Sequence, residues 1–303
     1  MNVIKTLTAQ RLPFLRKTSI RKNLWGYLFL APEVIIFSVF LIYPILRGLL
    51  LSFMEYNVEG SKWIGLQNFI NIFKDDLFLI SLKNTTFYTI GVVPVGIILA
   101  LFFSALIFPL SARPQTFFKS AFYLPGVISG VVVALTWSWI MDPEVGLLNY
   151  LLSLVHLGPY QWLSHPDTAL LSLILINLFS GQGGSIVIIL ANMTSIPLSL
   201  YESAKIDGSN EWHLFRYITV PLLKPTILYL VVMGIISSYQ VFDSIYVLTK
   251  GGPMNSTTTI AYLIYQEGLG SFEFGKASAI ATILLVIIFI LSVIQFRIFK
   301  EEK

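Results

Sequence analysis

No cysteine occurs in the 303 residues, which excludes disulfides, thiolate metal sites and a cysteine nucleophile together. Charge is scarce as well. Asp, Glu, Lys and Arg make up 12% of the chain, about half the ~25% usual in soluble domains. The three histidines, His156, His165 and His213, are scattered among separate polar stretches, so no metal set or catalytic triad follows from their spacing. No G-x4-G-K-[ST] segment is present, so the chain carries no nucleotide-binding loop and is not its own ATPase. No polar region is long enough to bury a core of its own.

Apolar sequence is abundant instead: 55% of residues are hydrophobic and the mean hydropathy is +0.77. A soluble fold cannot hide that much apolar surface, so the chain reads as an integral membrane protein. Crossing a bilayer takes about 20 apolar residues, and six such runs are present, at about 24–53, 84–109, 117–141, 169–193, 226–249 and 275–299. The first follows a basic segment, 1–23, but it is long and ends in no small-residue cleavage site. It reads as a retained helix rather than a signal peptide. The basic balance, +4 overall, does not point to nucleic acid, because the cations gather on no soluble domain. Their placement orients the spans instead. With the N-terminus inside, fourteen Lys and Arg fall in inner segments, five in outer segments, and Arg47 near the outer end of the first span. This asymmetry places both termini in the cytoplasm, with a short tail at 300–303, and puts residues 194–225 on the same side. The expected fold is therefore an all-α, six-helix membrane domain over 24–299. Trp63, Trp139 and Trp162 lie near span ends, as interfacial aromatics do. Glu33 and Arg47 reach the interfaces if the first segment is tilted or protrudes, which favours structural roles.

One inner segment is far more organised than a linker requires. Ser199 with Glu202 fits a capping box, starting a short helix through Tyr201 and Ala204 that ends at Asp207. Gly208 supplies a left-handed turn. Ser209 or Asn210 then caps a second helix to about Thr219, and Pro221 marks the return to the membrane. Two short helices at an angle make a compact knob.

The spacing of Glu202, Ala204, Gly208, Ile218 and Pro221 resembles the E-A-A-x3-G-x9-I-x-L-P signature of ABC-importer permeases, with Ser203 and Val220 as departures. A second stretch, Phe242 through Leu248-Thr249, Gly251-Gly252-Pro253 and Thr257, is similar to a segment of the carbohydrate-uptake branch, the maltose and glycerol-3-phosphate type. So are Gly65, Asn68, Asn84 and Thr85, and Asp142 through Asn149. The resemblance implies a binding-protein-dependent inner-membrane component of a bacterial cell membrane. It implies four partners: a second homologous permease, a separate ATPase dimer that carries ATP and Mg, an extracellular solute-binding protein, and a sugar as cargo. The knob would be the coupling helix seated in the ATPase, with Tyr201, Glu202, Ala204, Asp207, Gly208, Ile218 and Pro221 as its working residues.

The substrate path is read from polar and small residues inside spans three to five. Gly126 and Gly130, with Ala134 a turn on, form either a packing pair or part of the path. Asn177, Ser180, Gly181 and Gln182, followed by Gly183 and Gly184, invite a kink that a wet cavity tolerates and lipid does not. Ser238 and Gln240, with Ser237, Tyr239 and Asp243 around them, suit a hydroxyl-rich ligand. By the resemblance, Asn177, Gly181, Ser238 and Val241 stand where sugar contacts are made. A sugar phosphate is the alternative cargo. An ion-coupled carrier is less favoured, since no inverted repeat or proton relay is visible. A polytopic enzyme would need a cluster of His, Asp or Glu at one membrane face, and none stands out in the sequence.

Overall fold

The computed structural model describes residues 20–300, so most of the expected N-terminal segment 1–23 and the tail beyond 300 lie outside the described residues. The chain divides into two compact units, Met1–Leu50 and Leu51–Lys303. In the first, α1 (Ile20–Phe37) continues through a π-helical turn (Ser38–Ile42) into α2 (Tyr43–Leu51). The stretch Gly26–Leu51 is long and apolar enough to cross a membrane, and it carries both Glu33 and Arg47.

The second unit is built on α4 (Asp76–Ile107), 32 residues and therefore about 48 Å long at 1.5 Å per residue. Its hydroxyls cost it nothing, because Thr85, Thr86 and Thr89 donate to the carbonyls of Ser81, Leu82 and Thr85 at 2.7–2.8 Å. Along its length α4 enters three successive core clusters. Phe78 joins Ile260, Leu263 and Ile280 at one end; Tyr88 and Val92 join Leu173, Ile176 and Ile245 in the middle; Ala100 and Ile107 join Ile186, Ile189 and Leu190 at the other end. Its remaining face, with Phe87, Ile90, Ile98, Phe102 and Leu106, is exposed. Large apolar groups outside and hydroxyls inside invert the soluble pattern and suit a lipid surround.

Around α4 stand α5 (Ala112–Val127) and α6 (Gly130–Ile140), α8 (Pro166–Ser180) and α9 (Gly183–Met193), α13 (Lys224–Tyr239) and α14 (Asp243–Leu248), and α16 (Phe274–Lys300). Among the described residues four helices are long and apolar enough to span a bilayer. Two bent pairs, α5 with α6 and α8 with α9, bring the number to as many as six if each pair is one crossing.

The end of the unit where α4 begins is not all helical, contrary to the expected fold. A hairpin of β1 (Met54–Asn57) and β2 (Gly60–Trp63) pairs Met54 with Trp63 and Glu55 with Lys62. α3 (Gln67–Ile72), α7 (Leu147–Ser153) and α15 (Ile260–Tyr265) complete this end. The motif residues here are hydrogen-bond hubs. Buried Asn68 donates to the carbonyls of Ser52 and Met54. Asn84 donates to those of Asn255 and Thr258. Asn149 donates to Pro143 and Tyr160 carbonyls while accepting from Tyr160 N–H and the Trp162 indole. Trp162 is thus a half-buried part of this loop core and not a free interfacial ring; Trp139 is exposed and Trp63 stacks on Phe53. Gly275 lets α16 press against the Met54 carbonyl, where any side chain would collide.

Lys276 closes this end by bridging Asp75 at 2.8 Å and Glu267 at 2.7 Å. Burial pushes the Asp75 carboxyl up. The Lys276 ammonium and the Leu77 N–H, which Asp75 caps at 2.9 Å, outweigh that effect and hold the carboxyl below its ordinary 3.8. A depressed carboxylate stabilises the fold above its unfolded value, and that contribution is lost as pH falls through the folded value. Acid scans of the thermal midpoint of purified protein should therefore show a loss below about pH 4 that is reduced in Asp75→Asn. Asn149→Ala, which strands four partners, should destabilise by several times the ~1 kcal/mol of one hydrogen bond in the same melting assay.

Candidate functional site

Three helix interruptions converge beside α4. α5 gives way to α6 at Ile128 and Ser129, both extended, with a bend of 99°. Pro125 lies just before this break, in the last turn of α5. α8 gives way to α9 at Gly181 and Gln182 with a bend of 42°, in the glycine cluster where a kink is expected. α13 gives way to α14 over Gln240–Phe242.

Two adjoining cavities fill the space between the breaks. The first, about 330 Å³, lies between α4, α9 and α13 and is lined by Gly96, Gln182, Ser185, Tyr229, Ser237 and Ser238 among others. The second, about 370 Å³, is bordered by Gly126, Gly130, Ser180, Gln240 and Asp243. Tyr88, Asn177, Gly181 and Val241 belong to both walls. All eight residues expected on a path (Gly126, Gly130, Asn177, Ser180, Gly181, Gln182, Ser238 and Gln240) thus line one cavity or the other.

Details differ from the sequence reading. Gly126 and Gly130 are not a packing pair on one helix, since the 99° bend falls between them. Gly126 faces open space, and a side chain at Gly130 would meet the Asp243 carboxylate at 3.4 Å. The glycine of close crossing is Gly183, whose missing side chain admits the Phe122 carbonyl. Ser180 is held in place by the Trp137 indole N–H at 2.8 Å. The wall supplied by α4 is absent from the sequence reading. Tyr88 interacts with the Asn177 side chain, and Gly96 leaves room for the amide of buried Gln182, which would lie 2.9 Å from a Cβ there. A tyrosine and a glycine inside an apolar run carry no pattern of their own, and only the fold turns them toward Asn177 and Gln182.

At the far end of α4, α10 (Leu198–Ile206) and α11 (Glu211–Leu214) make the expected pair of short helices. The capping box is not formed. Pro197 occupies the N-cap, without a side-chain bond, and Ser199 lies inside the helix. The turn is as expected: Gly208 has φ +84°, with Ser209 N–H on Ala204 and Gly208 N–H on Lys205 at 3.0 and 3.1 Å, the bonding of a Schellman cap. Asn210 caps α11 through His213 N–H at 2.8 Å, and Lys205 pairs with Glu211 across the turn at 2.9 Å. A π-helical turn (Phe215–Thr219), which contains Ile218, leads through α12 (Val220–Leu222), with Pro221 in its first turn, toward α13. The Tyr201 hydroxyl meets that of Thr219 at 2.9 Å, tying α10 to this turn. Glu202 and Asp207 are exposed.

A bundle of broken apolar helices around polar cavities, with an ordered polar pair of helices at one end, defines a multi-pass membrane permease. Residues 78–300 match the model of the binding-protein-dependent transport system inner membrane component, and the chain belongs to that family. It is 37% identical over 289 residues to the probable ABC transporter permease protein YesP of Bacillus subtilis, covering 93% of each chain. It is 32% identical to the lactose transport system permease protein LacF of Rhizobium radiobacter, over 92% of this chain and 95% of that one. It is 31% identical to the sn-glycerol-3-phosphate transport system permease protein UgpA of Yersinia pestis, over 91% and 94%. Among solved structures, a bacterial ABC transporter involved in import of the acidic polysaccharide alginate superposes with a TM-score of 0.84 at 26% identity, over 94% of this chain and 98% of that one.

Gly183→Val forces a branched side chain into the Phe122 carbonyl. Its cost should exceed the roughly 1–3 kcal/mol of ordinary overpacking, seen as loss of monodisperse protein in size-exclusion chromatography. Gly184→Ala, which meets nothing within 4 Å, should elute as wild type.

Proposed function

We propose that this chain is a membrane subunit of an ATP-driven importer that carries a neutral sugar or oligosaccharide delivered by an extracellular binding protein. The observation that carries the reading is the pair of cavities meeting at Asn177 and Gly181. Their walls offer amides, hydroxyls and phenols, and no Lys or Arg is among the lining residues. Such walls suit a neutral polyol, whose hydroxyls each need a partner when water is stripped away. The sugar-phosphate alternative draws on the likeness to UgpA, but a phosphate would find no cation on these walls.

In this reading each bent pair crosses as one span, giving six, with both termini and residues 194–225 in the cytoplasm. The basic segment 1–23 and the tail 300–303 flank the membrane domain 24–299. A homologous permease supplies the other half of the pathway, and a separate ATPase dimer binds ATP and Mg. The chain itself catalyses nothing. A bacterial alginate ABC transporter similar to this chain has been solved in complex with an alginate pentasaccharide-bound periplasmic protein, which supports a binding-protein partner here.

Coupling follows from the mechanics of Glu202–Pro221. Exposed Glu202, Asp207 and Gly208, with Ile206 87% exposed and Trp212 67% exposed, offer a mixed charged and apolar tip for an ATPase cleft. Force on that tip passes through the Tyr201–Thr219 hydroxyl pair into α12 and α13. α13 carries Tyr229, Met233, Ser237 and Ser238 into the first cavity wall. A push at one end therefore moves the polar lining at the other.

Growth and labelled-substrate uptake in a deletion strain complemented with this gene, with lactose, arabino-oligosaccharides and sn-glycerol-3-phosphate as the panel, test the cargo. A neutral sugar should rescue. Glu202→Ala combined with Gly208→Val, which puts a branched residue at φ +84° against a left-handed penalty of about 1–2 kcal/mol, should abolish uptake while membrane insertion persists. Undiminished uptake in that double variant would rule out the lever.

A further inference from the structure

Beyond the second cavity, toward the hairpin end, four aromatic rings gather from two short helices. Phe242, at the break before α14, borders the cavity itself. Its ring lies 5.3 Å from that of Tyr246, one turn along α14, and 5.2 Å from that of Tyr265 on α15. Tyr246 and Tyr265 meet edge to face at 5.1 Å, and Tyr262 stacks on Phe242 at 6.4 Å. This is not a closed core. Tyr246 is 40% exposed and the other three rings are only partly buried. Within the group the Tyr265 hydroxyl donates to that of Tyr246 at 3.4 Å.

The loop between α14 and α15 is built to hold these rings. Gly251, at φ +82°, leaves the space that Tyr262 occupies, since a side chain there would lie 2.8 Å from its ring. Thr258 and Thr257 bond back to the Gly251 and Gly252 carbonyls. Thr259 donates to the Val241 carbonyl at 3.1 Å and caps α15 at the Tyr262 N–H. The loop at 251–259 therefore fixes α15 against the break at Gln240–Phe242, which presets the ring positions.

Resting on the sugar-importer reading, we propose that Phe242, Tyr246, Tyr262 and Tyr265 form a carbohydrate-stacking site at the mouth of the second cavity, where an incoming sugar ring is held before it enters. The chemistry is complementary. The negative face of an aromatic ring attracts the partially positive C–H groups on the apolar face of a sugar, while the Asp243 carboxylate and the phenols accept and donate to its hydroxyls. Burial and the neighbouring Tyr246 push the Tyr262 phenol up, and the hydrogen bond that Tyr265 donates to Tyr246 does the same for Tyr265. Both stay neutral donors at any physiological pH. Stacking reads the C–H patch of a ring rather than each hydroxyl in turn, which suits a station that every arriving unit passes.

The test uses the whole importer in proteoliposomes with loaded binding protein and the labelled panel above. Tyr246→Ala and Tyr265→Ala should each cut initial uptake at limiting sugar at least fivefold and leave sugar-free ATPase activity unchanged. Tyr246→Phe and Tyr265→Phe, which keep the ring face and lose only a hydroxyl, should transport less than wild type but well above the alanine variants. Tyr246→Leu fills similar space without a π face, so it should match the alanine variant and decides the matter if Tyr246→Ala fails to assemble. Wild-type transport with indifferent Ala and Leu variants would overturn the site alone, as would Phe variants as defective as Ala. A wild-type complex that moves none of the panel's sugars overturns both the cargo reading and the site.

Discussion

A break in a helix frees N–H and C=O groups that hydrocarbon cannot satisfy, so breaks at membrane depth survive only where protein or a wet cavity surrounds them. Three breaks in this chain obey that constraint by bordering the two cavities beside α4. That helix threads all three core clusters. Its polar side chains bond within the helix, as Thr85 and Thr89 do, or to packed neighbours, as Asn84 and Ser104 do, or line a cavity, as Tyr88 does, and it offers small residues where α8 and α9 come closest. Gly91 admits Ile174, and Gly96 admits Gln182. Without a rigid partner of this length, the bend at Gly181–Gln182 would expose its backbone to lipid. The cavities are in that sense what remains when broken helices are packed against one that is whole.

Much of this was legible in the sequence because it rests on local physics. Long apolar runs located the long helices and the two bent pairs to within a few residues, apart from α4, which begins eight residues earlier than hydropathy suggests because Asp75 caps it in a polar loop. Gly208 announced its left-handed turn, and the glycine cluster at 181–184 announced its kink. The failures share a cause: they depend on what stands opposite. Ser199 and Glu202 have capping-box spacing, yet Pro197 already ends the preceding segment in an extended conformation and takes the N-cap itself. Gly126 and Gly130 have helix-packing spacing, but a bend lies between them. Tyr88 and Gly96 look like filler until α8 and α9 fold against them.

The motif residues divide into two kinds once placed. Asn68, Asn84, Asn149 and Thr257 spend their side chains on backbone carbonyls, a threonine hydroxyl and loop N–H groups, building the hairpin end. Asn177, Ser238 and Gln240 instead turn toward open space. Both kinds appear in sequence as polar residues near span ends or glycines, and only their partners separate scaffold from site. Hydrogen-bond saturation is the physical criterion: a buried amide with its capacity used holds structure, while one facing a cavity has capacity left for a ligand.

Gly183 carries a consequence for motion. By giving up a side chain it seats the start of α9 directly on the backbone of α5 at Phe122 and Tyr123. Backbone against backbone leaves no rotamers to readjust, so the two bent helix pairs are held together as a single jaw. The opposite seam, α13 against α4, is made by side chains, with Gly234 resting on the methyls of Val93. Such a seam can slide by repacking. The cavity therefore has a fixed wall and a compliant wall, and the compliant one continues, through α12, into the exposed helices at the far end.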